Sequence, residues 1–455
     1  MESFAVDAHG LSHGGGDGGL IVSMRPYVFI NTHQESLRGV YGHDQGLSQF
    51  AGFNETALFR LHMNGPSQTP FNFGDSTPDI ANSAAGYFMG YAALPSSSLA
   101  LRRLCAYEGR RLARLIAGYA GAGEVDSYDC TRIDCARLLL DYSAAGSHAD
   151  LLSQPRARVF RLSAFGWDGR AAVGFFRSGW STDKSGVRGK EAWLAFKAAN
   201  GVPNHNDLDG GSFVMEMGGQ RWASDLGGDN YQLRGYFTQT LDGRYGYYRK
   251  STAGHNTLTF NNNGADWAAC DQDPGMSGIS EITLFHHDSE GHESTSPAYA
   301  IVDLTPAYAK PLNASANRIQ RGFAFTRGFQ QLLVVDEIAF QNGQQSIVNV
   351  TWTMHTLAKI HLYGASAVLS LGGSNMHVSV LEPPMAVLSA AAVDLQPPQK
   401  SSTGVSKLMV KVNMSDSRSS GFMRIIVRLT MNADASTPEI IPLAEWKVNG
   451  PFKGS

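Results

Sequence analysis

The chain has 455 residues, of which 43% are hydrophobic, 10% aromatic and only 17% charged. With 23 Phe, 16 Tyr and 7 Trp it carries enough apolar area for large cores, which excludes a disordered, coiled-coil or collagen-like chain. Lys plus Arg number 37 against 40 Asp plus Glu, a formal net charge of -3, so no broad electrostatic pull toward nucleic acid or an anionic membrane is expected.

Residues 1–25 are rich in Gly and His and read as a disordered tail. They lack the basic and apolar regions of a signal peptide. Residues 26–153 read as helical. The stretch from Leu99 to Ala120 places apolar residues at three- and four-residue spacing with Arg on the other face, and Gly121 and Gly123 offer a stop. Ile80 to Ala93 and Cys135 to Ser143 are further helical candidates. Cys105, Cys130, Cys135 and Cys270 make neither a disulfide framework nor a paired zinc motif. No run reaches the ~18 apolar residues of a membrane span.

From residue 154 to 455 the pattern changes to short β-prone runs such as ARVFRLSAF, AAVGFFRS, QLLVVDEIAF and MRIIVRLTM, separated by turn residues. Many strands without intervening helices predict a large antiparallel β-sandwich. The fold class is therefore α+β multidomain, helical first and then all-β. One hairpin is legible in detail: GSFVMEM and QRWASDL flank Gly218-Gly219. Pairing about that turn sets Glu216 opposite Arg221, Met215 opposite Trp222 and Ser212 opposite Asp225.

The densest polar cluster, Asn204-His205-Asn206-Asp207-Leu208-Asp209, immediately precedes this hairpin. In extended backbone His205, Asp207 and Asp209 point the same way. Asp225 returns to that end of the hairpin, and His255 opens the next strand in GHNTL. An imidazole with two or three carboxylates suits a divalent ion. Alternation puts Asp225 on the opposite face from Asp207, so a bulge at Gly210-Gly211 is required to unite them. An Asp/Asn-rich turn capping a hairpin is the competing reading.

NHNDLDGGSFVMEMGGQRWASDLGGDNYQLRGYF, followed by GYYRKSTAGHNTLTFNN, resembles the signature of the heparinase II/III-like polysaccharide lyases. GFNETALFRLHMNGPSQTPFNFGDS in the helical part is similar to it too, and the resemblance spans roughly Val40 to Val427. It implies an α/α toroid followed by a β-sandwich, β-elimination of a uronic-acid polysaccharide, and a structural divalent metal, zinc by preference. By the same resemblance His205 matches a cleft histidine, and Asp207, Asp225 and His255 match the metal ligands. Asp207 stands where many members have histidine, which exchanges a nitrogen ligand for a hard oxygen; the outcomes are a site that keeps zinc, one that prefers harder ions or one that is abolished, and Asp209 is an alternative donor. Tyr236 falls near the family's catalytic tyrosine, with Tyr231, Tyr245 and Tyr248 close by.

Elimination across C4–C5 of a uronate needs a base for the C5 proton, an acid for O4 and donors to neutralise the carboxylate. The catalytic candidates are His205, Tyr236, Tyr248 and Arg249, and the substrate-binding candidates Asn204 and Arg244. Surface solvation for the arginines and packing for the tyrosines are the competing roles. A toroid needs more helices than residues 26–153 can hold, so the resemblance implies an N-terminally shortened, incomplete α/α toroid. The expected partner is an acidic polysaccharide and the expected location extracellular or in the secretory pathway, in keeping with sequons at Asn54, Asn313, Asn349 and Asn413. A glycan-binding protein that has lost catalysis but keeps the sandwich is the alternative. His286-His287 reads as a solvated loop, His355 as a hydrogen-bonded packing residue, Asp336-Glu337 as a strand-end turn, and Asp75 or Ser76 as a helix cap.

Overall fold

The computed structural model describes residues 58–76 (without 60 and 68), 156–161, 172–180, 190–199, 206–261, 271–287, 297–341, 347, 349–413 and 421–453, together with 104, 149 and 154. The tail, the three helical candidates (apart from Leu104), the four cysteines, Asn204 and His205 lie outside these residues. Before residue 154 the longer described runs are 61–67, which begins in a short helix and ends in a turn, and the stretch 69–76.

From residue 156 on, strands dominate the regular structure of the described chain. Strands β1 (Ala157–Arg161), β2 (Ala172–Arg177), β3 (Trp193–Ala198), β4 (Phe213–Met217) and β5 (Gln220–Ala223) form an antiparallel meander in sequence order. β6 (Leu258–Phe260) belongs to a four-stranded sheet with β11 (Asn349–Thr356), β15 (Val387–Ala392) and β16 (Ser406–Asn413). The eight-stranded sheet comprises β7 (Glu281–His286), β8 (Ala298–Asp303), β9 (Ala316–Phe325), β10 (Gln331–Phe340), β12 (Lys359–Tyr363), β13 (Ser366–Leu371), β14 (Ser374–Glu382) and β17 (Phe422–Thr430). Its order is β12-β13-β14-β17-β10-β9-β8-β7.

One continuous core joins all three sheets. Phe196 and Phe213 of the meander meet Phe323 of β9 at ring-centroid distances of 4.8 and 5.6 Å, and Trp352 of β11 lies beside Phe213. The Ser224 N–H donates to His355 O at 2.9 Å and ties the end of β5 to β11. The meander is buried on both faces, which explains why its strands read as solid apolar runs rather than alternating ones. Ala172 and Phe176 face the common core, while Val173 and Phe175 face outward onto Phe59, Met63, Phe71 and Phe73 of the N-terminal part. The eight-stranded sheet has its outer face covered by Leu443, Trp446 and Phe452.

The β4–β5 hairpin forms with Gly218 (φ 62°) and Gly219 (φ 81°) both left-handed, the conformation that a two-residue hairpin turn demands. Glu216 pairs with Arg221 as predicted, but Met215 pairs with Ala223, not with Trp222. Trp222 is the extra residue of a bulge; its indole is fully buried and donates to Met217 O at 2.9 Å. The bulge thus falls in β5, not at Gly210-Gly211, and a one-residue insertion reverses the facing of all that follows. Asp336 is likewise not in a turn. It lies mid-strand in β10, fully buried, in a two-point ion pair with Arg321 at 2.8 and 2.9 Å. His286 closes β7 and stacks on Tyr299 instead of lying in a loop.

Candidate functional site

Three segments meet at one rim of the meander. The 206–209 loop enters β4, the turn 225–229 leaves β5, and residues 72–76 of the N-terminal part run alongside. The Asn72 side-chain amide donates to Asp225 O at 3.1 Å and the Gly228 N–H to Ser76 O at 3.0 Å. Gly227 has φ 64°, and a Cβ there would sit 2.2 Å from Ser76 O, so only glycine permits this approach.

Asp207, Asp209, Asp225 and His255 are all buried. His255 Nδ1 lies 3.1 Å from Asp225 Oδ2, and its Nε2 lies 3.7 Å from Asp207 Oδ2 with no hydrogen-bond partner. Burial alone would raise the Asp225 carboxyl; the imidazole and the Gly227 N–H outweigh this and hold it below the usual carboxylate range. Burial alone would lower His255, but Asp225, then Asp207 and Asp209, raise it. Asp207, Asp209 and His255 each place one ligand-type atom within 4.8 Å of the others, which is the spacing of a buried metal-binding triad. Asp225 stands behind it on the other ring nitrogen, the position of an orienting carboxylate.

Cations already occupy the oxygens of this triad. Asp207 Oδ1 accepts from Arg244 at 3.1 Å and Oδ2 from Lys250 at 3.0 Å; both oxygens of Asp209 accept from Lys197 at 2.8 Å. Only the orphaned Nε2 of His255 fits a metal; the carboxylates as they stand do not.

The tyrosines and arginines sort by exposure. Tyr236 is 1% exposed; its hydroxyl donates to Asp75 Oδ1 at 2.6 Å and accepts from the Asp229 N–H at 3.1 Å. Burial first, and its neighbour Asp75 next among the raising effects, push that hydroxyl up to about 12. Arg244, a candidate for gripping substrate, is fully buried: its guanidinium lies 2.7 Å from Asp75, bonds Asn206 O at 2.7 Å and sits 4.7 Å over the Tyr236 ring. Tyr248 is buried and its hydroxyl lies 2.9 Å from His355 Nε2. Arg249 donates to Leu226 O and Ser401 O, bracing the 400–402 loop. Tyr231 is half-buried, with its hydroxyl 3.4 Å from Asp75 Oδ2.

Asp75, Lys197 and Lys250 are the functional residues that the sequence concealed. Asp75 reads as a cap beside GD-S, Lys197 sits in an apolar run, and Lys250 sits in the GYYRKSTAGHNTLTFNN segment with nothing in its spacing to mark it. His355 is the hydrogen-bonded packing residue its strand implied: Asn256 Oδ1 lies 3.0 Å from its Nδ1 and accepts its backbone N–H at 2.6 Å.

A family model described as heparinase II/III-like, C-terminal, matches residues 169–401. The fold matches solved structures: the heparan sulfate lyase HepC from Pedobacter heparinus (13% identity, TM-score 0.56, 90% of this chain and 53% of that one), a heparinase III with methylated lysines (15%, 0.56, 90% and 51%), and another heparinase III (12%, 0.56, 92% and 55%). This chain thus spans about half the length of each of those proteins. No curated protein matches it. Because the family match takes in more than half of its residues, the chain belongs to the heparinase II/III-like family.

Proposed function

We propose that the protein is a polysaccharide lyase that cleaves uronic-acid-containing polysaccharide by β-elimination. The observation that carries this reading is the convergence, at one rim of a heparinase-like sandwich, of the 206–209 loop, the Tyr231–Tyr236 segment and Asp75 of the N-terminal part. We assign residues 1–25 to a tail, 26–153 to an incomplete α/α toroid and 154–455 to the sandwich domain. In this reading His205, one residue before the buried loop, takes the C5 proton, and Asn204 holds the carboxylate. A neutral imidazole is competent for that transfer near neutral pH. Protonation of the departing O4 falls to a tyrosine. Tyr231 keeps partial exposure, whereas Tyr236, Tyr245 and Tyr248 are buried, so Tyr231 is the one of the four that a glycan oxygen can reach. Arg244 and Arg249 act by holding the rim together.

The family's zinc enters no step here. Action on such a glycan places the working protein outside the cytoplasm, in the secretory pathway or beyond the cell. Among the described residues no helix is long and apolar enough to cross a membrane.

The test is incubation with alginate, heparan sulfate and related uronans while following the ultraviolet absorbance of the unsaturated product. Product formation that His205→Ala abolishes supports the reading; silence on every uronan sinks it. The burial of Tyr236, Tyr248, Arg244 and Arg249 in internal bonds favours a second reading, a glycan-binding protein without catalysis, which retained binding in the silent case would establish.

A further inference from the structure

We propose that Lys250, Lys197 and Arg244 are the structural cations of this centre, so that the chain folds around its own ammonium and guanidinium groups and holds no divalent ion. A structural metal works as a single positive centre that collects oxygen or nitrogen donors from separate stretches of chain. Lys250 Nζ does this. It lies 2.8 Å from Gly74 O, 3.0 Å from Asp75 Oδ1, 3.0 Å from Asp207 Oδ2 and 3.1 Å from Gly227 O. Those four oxygens come from three segments: the N-terminal part, the loop before β4 and the turn after β5. Lys197 Nζ closes the other side. It lies 2.8 Å from each oxygen of Asp209, 3.1 Å from Asn206 Oδ1 and 4.7 Å from the centre of the Phe73 ring.

Charge balance points the same way. Arg244 reaches Asp75 at 2.7 Å and Asp207 at 3.1 Å. Asp75, Asp207 and Asp209 are thus matched one for one by Lys197, Arg244 and Lys250, and all six side chains are fully buried. Asp225 has its own partner in His255. A divalent ion between Asp207, Asp209 and His255 would add two positive charges beside three that already balance. Coulomb repulsion at such separations is weakly screened in a buried site. The ion would also have to displace ammonium groups whose stems are packed in place.

This inference concerns how the centre is held together, and it stands whether or not the protein cleaves a glycan. The full-length protein is purified from zinc- and calcium-replete medium. Its metal content is measured by elemental mass spectrometry, and its Tm with and without excess chelator. The expected result is metal well below one equivalent per chain and an unchanged Tm. Lys250→Met is expected to lower Tm by on the order of 10 °C, because it leaves buried carboxylates uncompensated. Added Zn²⁺ should then raise the variant's Tm, since Asp207 Oδ2 loses its ammonium partner and faces the His255 Nε2 at 3.7 Å. One tightly held metal per chain together with a fall in Tm on chelation would overturn the proposal, as would a Lys250→Met protein as stable as the unmodified one. If that variant does not fold, the metal content and chelator response of the unmodified chain decide the question alone.

Discussion

Lys197 Nζ lies 2.8 Å from both carboxylate oxygens of Asp209, with neither side chain exposed to solvent. The two residues come from the C-terminal end of β3 and the loop before β4, so their pairing sets how that loop enters the sheet. Lys197→Met leaves Asp209 as a buried charge without its partner, a change that costs about 3–5 kcal/mol. The double variant Lys197→Met/Asp209→Asn is expected to recover part of the loss. Denaturant unfolding of both proteins checks this; equal stability of the single variant and the unmodified chain would refute it.

Glu216 holds the N-terminal part against the sandwich. Its carboxylate accepts from the Ser67 N–H and hydroxyl, each at 2.7 Å, and from Arg221 Nε at 2.8 Å, while Arg221 reaches Thr69 O and Pro70 O. Glu216→Ala removes three charge-assisted bonds from a buried site, and a loss of about 3 kcal/mol follows. Limited proteolysis should then cut between residues 64 and 76, where the intact protein resists.

His355 gives stability a pH dependence of known sign. Burial first, then nearby Lys407, lower its pKa from 6.5 to about 3. The folded state therefore keeps the ring neutral while the unfolded chain takes up a proton below about pH 6.5. The contribution is present in full above the unfolded value and declines as pH falls toward 3. By pH 5 it amounts to about 2 kcal/mol lost. His355→Gln should flatten this part of the profile, measured as the difference in unfolding free energy between pH 7 and pH 5.

Tyr231 and Tyr236 separate by phenotype. Tyr231→Phe removes a half-exposed hydroxyl and is expected to lower kcat roughly 10²–10⁴-fold with little change in Tm. Tyr236→Phe strands the Asp229 N–H and weakens Asp75, at a cost of about 1–3 kcal/mol in stability. Loss of activity with intact stability in Tyr236→Phe, and not in Tyr231→Phe, would reverse the assignment.

The β-sandwich was legible because strand patterning is local: apolar runs of five to ten residues and turn dipeptides are written along the chain. The Gly218-Gly219 hairpin and the Glu216–Arg221 pair follow from the same two-residue periodicity. That the 206–209 loop, Asp225 and His255 share one end of the sheet was readable from hairpin geometry and family resemblance together. The bulge at Trp222 was not, since its cause is a burial site for the indole supplied by distant strands.

Sequence alone determined the β class of the C-terminal part, the hairpin turn and the identity of the polar cluster, because each depends on neighbours a few residues apart. Only the tertiary structure decided which charges offset which. Asp75 meets Arg244 and Lys250 across more than 160 residues of chain, and no periodicity connects them. Burial makes those pairings obligatory, since a charge withdrawn from water is tolerated only where an opposite one comes with it.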